Sequence, residues 1–81
     1  MTEKKVECTI IKGVTPNTRI ARVRAADGAY DEVVVSAKNL KGKRLLAWEI
    51  GRRDDAVLVE LPRESVSGRW RMWVKASSVG G

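Results

Sequence analysis

Several residue types on which catalytic and metal sites depend are scarce or missing in this chain of 81 residues. It has no histidine and a single cysteine, Cys8. Neither a histidine-based triad nor a Cys/His zinc site can therefore be built, and no intrachain disulfide can form. A glycine-rich phosphate loop is also missing. The sequence predicts a protein that is not an enzyme and that holds no metal or other cofactor.

Long apolar runs are absent as well. The residues that follow Met1 are Thr2-Glu3-Lys4-Lys5, and no later stretch is apolar over the roughly 20 residues that a membrane helix needs. We therefore expect a cytoplasmic protein with no signal peptide and no membrane partner. A chain of 81 residues allows one domain with a thin core, so no cavity for a small-molecule substrate is expected.

Positive charge dominates what is present. Sixteen Lys and Arg residues stand against ten Asp and Glu residues, which gives a net charge of +6. A domain this basic is interpreted first as a partner of polyanions such as RNA. The alternative is a basic surface that serves solubility and has no such partner.

Short strand-like runs recur between turn residues, and Asp27-Gly28 is a strong hairpin signal. The pattern predicts an all-β domain over residues 6–75, with residues 1–5 as a flexible N-terminus and 76–81 as a flexible C-terminal tail. Side-chain alternation assigns one face of each strand to the core. The residues predicted to be buried are Val6, Cys8, Ile10, Ala21, Val23, Ala25, Leu46, Trp48, Ile50, Trp70, Met72 and Val74.

Residues 37–44 form the first candidate binding segment. We predict a basic loop, with room for one helical turn, in which Gly42 allows close approach of a ligand. Lysine and arginine side chains on loops are common phosphate ligands. The alternative is a solvated connector. The candidate binding residues are Lys38, Lys41, Lys43 and Arg44.

The last predicted strand, 69–75, provides the second candidate. On the face opposite its predicted core residues, three cations surround one indole, an arrangement suited to stacking of a base with electrostatic support. The alternative is that Trp73 covers the end of a barrel and the cations only solubilise it. The candidate residues are Arg69, Arg71, Trp73 and Lys75.

The third candidate lies on the second and third strands. Arg22 and Arg24 project from the side opposite Ala21 and Val23, and Tyr30 begins the next strand. In OB domains, the second and third strands form the usual nucleic-acid face. An exposed hairpin with ordinary surface cations is the alternative interpretation.

The order of elements is three strands, a loop or short helix, and two more strands, as in the five-stranded OB barrel. Residues 6–75 also contain five short motifs. They are Pro16-Asn17-Thr18, Arg22-Val23 with Gly28, Ser36 with Lys38, Asp54 or Asp55 before Val57-Leu58-Val59-Glu60-Leu61, and Ser67-Gly68-Arg69. On these residues the chain resembles a divergent member of the translation initiation factor one family, bacterial, archaeal and eukaryotic. The resemblance implies an RNA-binding OB domain.

A second resemblance supports a different fold. Residues 72–79, Met72-Trp73-Val74-Lys75-Ala76-Ser77-Ser78-Val79, are similar to the end of SH3 domains. The alternatives are therefore an SH3-like barrel and a protein–protein interaction module or small subunit of a larger assembly. Lys75 and Ser78 occupy the places of the Pro and Tyr used by SH3 peptide sites, so a proline-rich ligand is not expected. An OB barrel requires its first strand to pair with both the second and the fourth.

Together these patterns predict an RNA-binding OB domain whose partner is RNA or the ribosome, with single-stranded DNA as a further candidate. The expected mechanism is electrostatic capture by the basic loop and stacking on exposed aromatic rings.

Overall fold

Antiparallel strands make up most of the structure, a computed structural model that describes residues 2–81. The strands are β1 (Thr2–Glu7), β2 (Thr9–Lys12), β3 (Thr18–Arg24), β4 (Tyr30–Ser36), β5 (Leu40–Lys41), β6 (Arg44–Arg53), β7 (Ala56–Glu60), β8 (Arg71–Lys75) and β9 (Val79–Gly80). Within residues 2–81 the only helical segments are two 3-10 turns, Ala37–Asn39 and Ala76–Ser78. The predicted all-β class is confirmed.

The larger sheet has the strand order β8-β7-β6-β1-β9, and β5 pairs with the start of β6. The longest strand, β6, contains a β-bulge, since its register with β7 passes from Glu49↔Val59 to Gly51↔Leu58 and leaves Ile50 without a partner. A bulge bends its strand and increases the local twist. This sheet therefore curves where β6 pairs with β7.

The smaller sheet, β2-β3-β4, contains the hairpin that Asp27-Gly28 predicts. Gly28 has a φ of 93° and donates its N–H to the Ala25 carbonyl at 2.9 Å. A side chain is disfavoured at that φ, which explains the glycine. Asp27 Oδ1 accepts the Ala29 N–H at 2.9 Å. The turn holds β3 and β4 in register from Thr18↔Ser36 to Arg24↔Tyr30.

The first predicted strand is divided at Cys8 between the two sheets. Its first part, β1, lies between β6 and β9, whereas its second part, β2, pairs with β3. The segment thus contacts both β3 and β6, the pairing expected of the first strand of an OB barrel. The contact between β1 and β9 lies outside that expectation.

The core lies between the two sheets and consists of small and medium aliphatic side chains. The predicted inward face of β3 is confirmed, because Ala21, Val23 and Ala25 are all buried. Met72 and Val74 on β8 are buried as predicted. The other buried hydrophobic residues are Val6, Val33, Val35, Leu45, Ala47, Val57, Val59 and Leu61.

The predicted facing of β6 is wrong. Leu45 and Ala47 point into the core, and the residues assigned there, Leu46, Trp48 and Ile50, are only half-buried on the opposite face. Residues 45–48 are all apolar, so hydrophobicity does not indicate which alternate residues face inward. The cross-strand pair Val6↔Leu45 does, because directly paired residues share a face and Val6 is buried.

The prediction that Trp70 belongs to the core is also wrong, since its exposed fraction is 55%. Trp70 comes just before β8, so the strand's alternation does not extend to it. Its carbonyl still accepts the Leu61 N–H at 2.8 Å. The main chain is therefore held against β7 while the indole points outward.

Strand pairing extends beyond the predicted 6–75 domain at both ends. Residues 2–5 belong to β1 and pair with β6, and Met1 lies outside the described residues. After the 3-10 turn at Ala76–Ser78, β9 pairs with β1 through Lys5↔Gly80 and Val6↔Val79. Both segments predicted to be flexible thus contribute strands to the larger sheet.

Candidate nucleic-acid interface

A cleft opens where the first strand passes from one sheet to the other. The β2–β3 ladder ends at Thr9↔Arg22, and beyond Cys8 the chain turns away to join β6 and β9. The gap between the two sheets is a cleft of about 370 Å³. We call it the junction cleft; its lining residues are Glu7, Cys8, Thr9, Arg22, Arg24, Ala25, Tyr30, Lys75, Ser77 and Ser78.

The junction cleft brings together four predicted site residues that come from separate parts of the chain. Arg22 and Arg24 extend from β3, Tyr30 begins β4, and Lys75 ends β8. The guanidinium carbons of Arg22 and Arg24 lie 6.0 and 5.8 Å from the centre of the Tyr30 ring. Cation–π attraction at these distances orders the three side chains. Tyr30 keeps an exposed fraction of 62%, so a base can stack on the part of the ring that the two guanidinium groups leave open.

The cations of the junction cleft are not equally available to a ligand. Arg22 donates to Glu32 Oε2 through Nη2 at 3.0 Å and through Nε at 3.2 Å, so its charge is partly neutralised. Within residues 2–81, no carboxylate lies within ion-pair distance of Arg24 or Lys75. These two side chains can therefore donate hydrogen bonds to a phosphate without first breaking an ion pair.

A second depression, of about 490 Å³, lies on the other side of the β3–β4 turn. It is lined by residues 25–27 of that turn together with Arg69, Arg71, Met72 and Trp73. The Ala26 N–H donates to the Trp73 carbonyl at 2.8 Å, which fixes the turn against β8. We call this the Trp73 depression. It shares Ala25 with the junction cleft, so the two sites adjoin.

The Trp73 depression is less open to a ligand than its residue types suggest. The guanidinium carbon of Arg53 lies 5.5 Å from the centre of the Trp73 ring, and the exposed fraction of Trp73 is 36%. Arg71 is paired with Glu60, Nε to Oε2, at 3.4 Å. Stacking on Trp73 would therefore have to displace Arg53 or use what remains of the ring.

The segment predicted to be a basic loop has regular secondary structure. It consists of the 3-10 turn Ala37–Asn39 and the β5–β6 hairpin, and its turn residue Gly42 has a φ of 61°. Lys38, Lys41, Lys43 and Arg44 are exposed, but they line neither the junction cleft nor the Trp73 depression. The end of the loop is nevertheless close to the cleft, since Cys8 Sγ donates to the Lys43 carbonyl at 3.5 Å.

Sequence reasoning missed six residues of the junction cleft: Ala25, which it assigned to the core, and Glu7, Cys8, Thr9, Ser77 and Ser78. Residues 7–9 face the cleft because the first strand breaks at Cys8, and residues 77 and 78 face it because the 3-10 turn returns beside that break. Neither feature is strongly indicated by the local sequence. The one indication in the sequence is that Ser78 occupies the place of the tyrosine used by SH3 peptide sites. Burial raises the pKa of the Cys8 thiol, although a backbone hydrogen bond at Leu45 opposes the shift.

A buried carboxylate fixes the loop between β7 and β8 against β4. Asp31 Oδ2 accepts the Ser67 hydroxyl at 2.6 Å, and its Oδ1 accepts the Glu32 N–H at 2.9 Å. Burial by itself would raise the pKa of Asp31, but hydrogen bonds from Ser67, Ser65 and the main chain outweigh it and lower that pKa. Because Asp31 adjoins Tyr30, this network helps to hold one wall of the cleft.

We expect Asp31 to make stability depend on acidity. Its pKa is lower in the folded state than in the unfolded chain, so its contribution is complete above about pH 4 and is lost as the pH falls through the folded value. Asp31→Asn should therefore destabilise the domain by about 1–3 kcal/mol at pH 7 and flatten the fall in Tm below pH 4.

Thermal unfolding between pH 7 and pH 2 measures this effect. Asp55→Asn is the matched control, since it removes an exposed carboxylate that makes no side-chain hydrogen bond within residues 2–81. An equal loss of acid dependence in both variants would contradict the assignment to Asp31.

Comparison with protein-family models, curated proteins and solved structures found no match. Across the described part of the chain, no cluster of three or more His, Cys, Asp or Glu side chains is placed to hold a metal ion. None of the helical segments in residues 2–81 has the length and apolar character needed to cross a membrane.

Proposed function

We propose that this chain is an RNA-binding domain that captures single-stranded RNA in the junction cleft. The observation that carries the proposal is the meeting of Arg24, Lys75 and Tyr30 in one cleft: an exposed tyrosine beside two cations that form no ion pair within residues 2–81. Single-strand sites in proteins combine a positively charged groove with aromatic rings on which bases stack. The net charge of +6 adds long-range attraction for the same ligand.

Each cleft residue has a distinct part in the proposed mechanism. Arg24 and Lys75 hold phosphate groups, and Tyr30 provides the stacking face. Arg22, tied to Glu32, orients the ring more than it contacts phosphate. The main chain of the basic loop reaches the end of the cleft at Cys8, through the Lys43 carbonyl, and the loop's cations extend the track for the RNA backbone from there.

For the fold we propose a small barrel formed by the two sheets. The contacts of the first segment with both β3 and β6 favour the OB type. The 3-10 turn that leads into β9 and the return of β9 to β1 favour an SH3-like arrangement of the larger sheet. Lys75 and Ser78 line the junction cleft in both cases. The cleft therefore has a cation and a hydroxyl where an SH3 peptide site uses Pro and Tyr, which favours an anionic ligand.

Fluorescence anisotropy with a labelled single-stranded RNA at several salt concentrations tests the proposal. We expect log K to fall linearly with log salt, with a slope of about −0.7 for each phosphate neutralised. Arg24→Ala/Lys75→Ala should make the slope less negative by about 1.4, because two phosphate contacts are lost. Heparin and single-stranded DNA in parallel titrations separate RNA binding from general affinity for polyanions.

The triple variant Lys38→Ala/Lys41→Ala/Lys43→Ala is the matched comparison, since it removes more charge outside the cleft. Substitutions at such exposed positions usually change stability by no more than about 0.5 kcal/mol each. If the triple variant flattens the slope by more for each cation removed than the double variant does, the loop is the principal contact. Absence of binding at low salt would reject the proposed function.

A further inference from the structure

Within the described residues 2–81, Glu7 is the one carboxylate that lines the junction cleft. Its position on β1 is opposite Arg44, yet among residues 2–81 no cation lies within ion-pair distance of it. Three cations line the same cleft. A carboxylate there repels phosphate and weakens the binding of any polyanion, unless it accepts hydrogen bonds from the ligand.

The nucleobases differ in what they offer such a group. An ionised carboxylate only accepts hydrogen bonds, and it binds most strongly to two parallel N–H donors. Guanine presents N1–H and N2–H₂ side by side on its Watson–Crick edge. Adenine and cytosine each place an acceptor ring nitrogen beside the amino group, and uracil places its N3–H between two carbonyls. Of the four bases, guanine therefore fits Glu7 best.

The remaining lining residues suit the other parts of a nucleotide. Tyr30 gives a purine a ring to stack on, and Arg24 and Lys75 are available for phosphate. The volume of about 370 Å³ is at the small end of ligand sites, a size for one nucleotide and not for several.

We propose that the junction cleft selects guanine, with the base stacked on Tyr30, N1–H and N2–H₂ donating to the Glu7 carboxylate, and the phosphate held by Arg24 and Lys75. This inference rests on the proposed RNA-binding function and names the base that the site recognises. A correctly paired bidentate contact discriminates between bases by about 5- to 150-fold.

The experiment compares hexaribonucleotides of uridine that carry one central guanosine, inosine, adenosine or no substitution. The parent protein should bind the guanosine hexamer about 5- to 150-fold more tightly than the all-uridine hexamer. Inosine lacks the N2 amino group but keeps N1–H, so the affinity for the inosine hexamer should lie between those for the guanosine and all-uridine hexamers. Glu7→Gln should remove the preference, and it should leave binding of the all-uridine hexamer unchanged or stronger because a negative charge is lost.

Cys8 reports on whether the base occupies this cleft. It is the only cysteine of the chain and lines the cleft beside Glu7, so its alkylation by iodoacetamide should be slowed more by the guanosine hexamer than by the all-uridine hexamer. Glu3→Gln is the control, since it makes the same charge change on β1 at an exposed position outside the cleft. It should keep the full preference.

The outcomes separate this inference from the proposed function. Equal affinity for all four hexamers, or a guanosine preference that survives Glu7→Gln, overturns guanine selection and leaves RNA binding standing. If no hexamer and no longer RNA binds at low salt, RNA binding itself is rejected. If the preference exists but Cys8 is not protected, guanine is recognised elsewhere and the assignment to this cleft is overturned.

Discussion

Leu45→Ala is expected to lower the free energy of unfolding by about 2–5 kcal/mol, the usual effect of truncating a buried leucine. The side chain is among the largest of those that are fully buried, with an exposed fraction of 0%. It packs between the sheets, and Leu45 on β6 is the cross-strand partner of Val6 on β1. The cavity left by alanine is therefore lined by residues of both strands. Urea unfolding followed by circular dichroism measures the change.

Leu46→Ala is the matched control, because it removes the same atoms at the next position of the same strand. Leu46 is half-buried on the opposite face, so the loss should be well below that of Leu45→Ala. If Leu45→Ala does not fold, Leu45→Val gives a smaller cavity and still tests the ranking. A greater loss for Leu46→Ala would mean that the facing of β6 is inverted.

This pair of leucines shows where sequence patterns suffice and where they do not. On β3, small apolar residues alternate with arginines, so the buried face of the strand is visible in the sequence and is confirmed. On β6 the residues from Leu45 to Trp48 are all apolar, and only the pairing with β1 decides which of them point inward. Trp70 illustrates a different failure, since the predicted alternation was extended one residue beyond the strand.

The candidate site was predictable in its residue types but not in its grouping. Arg24 and Tyr30 are neighbours through an adjacent hairpin, a local relation that Asp27-Gly28 already indicates. Lys75 joins them because β8 lies against the β3–β4 turn, where the Ala26 N–H donates to the Trp73 carbonyl, a contact between distant parts of the sequence. Glu7 faces the junction cleft because β1 and β2 separate at Cys8, and no local sequence pattern predicts that separation.

Tyr30→Ala is expected to weaken binding of single-stranded RNA by about 5- to 150-fold, which corresponds to the 1–3 kcal/mol typical of one base stacked on an aromatic ring. Tyr30 is 62% exposed at the edge of the junction cleft, and the guanidinium groups of Arg22 and Arg24 lie over its ring. The fold should tolerate the change, since little of the side chain is buried. Tyr30→Phe keeps the stacking face and should retain most of the affinity.

Trp70→Ala is the control that shows whether RNA binding needs an aromatic ring in the junction cleft or only an exposed aromatic ring. Trp70 is a larger aromatic residue with a similar exposed fraction, 55%, but it lines neither the junction cleft nor the Trp73 depression. Its removal should leave RNA affinity within about twofold of the parent, because the ring lies outside the junction cleft and, within residues 2–81, no cation lies over it. Anisotropy titrations of the three variants at one low salt concentration, with melting curves beside them, decide the matter. If Trp70→Ala weakens binding more than Tyr30→Ala does, the RNA lies on the loop between β7 and β8, and the junction cleft is not its site.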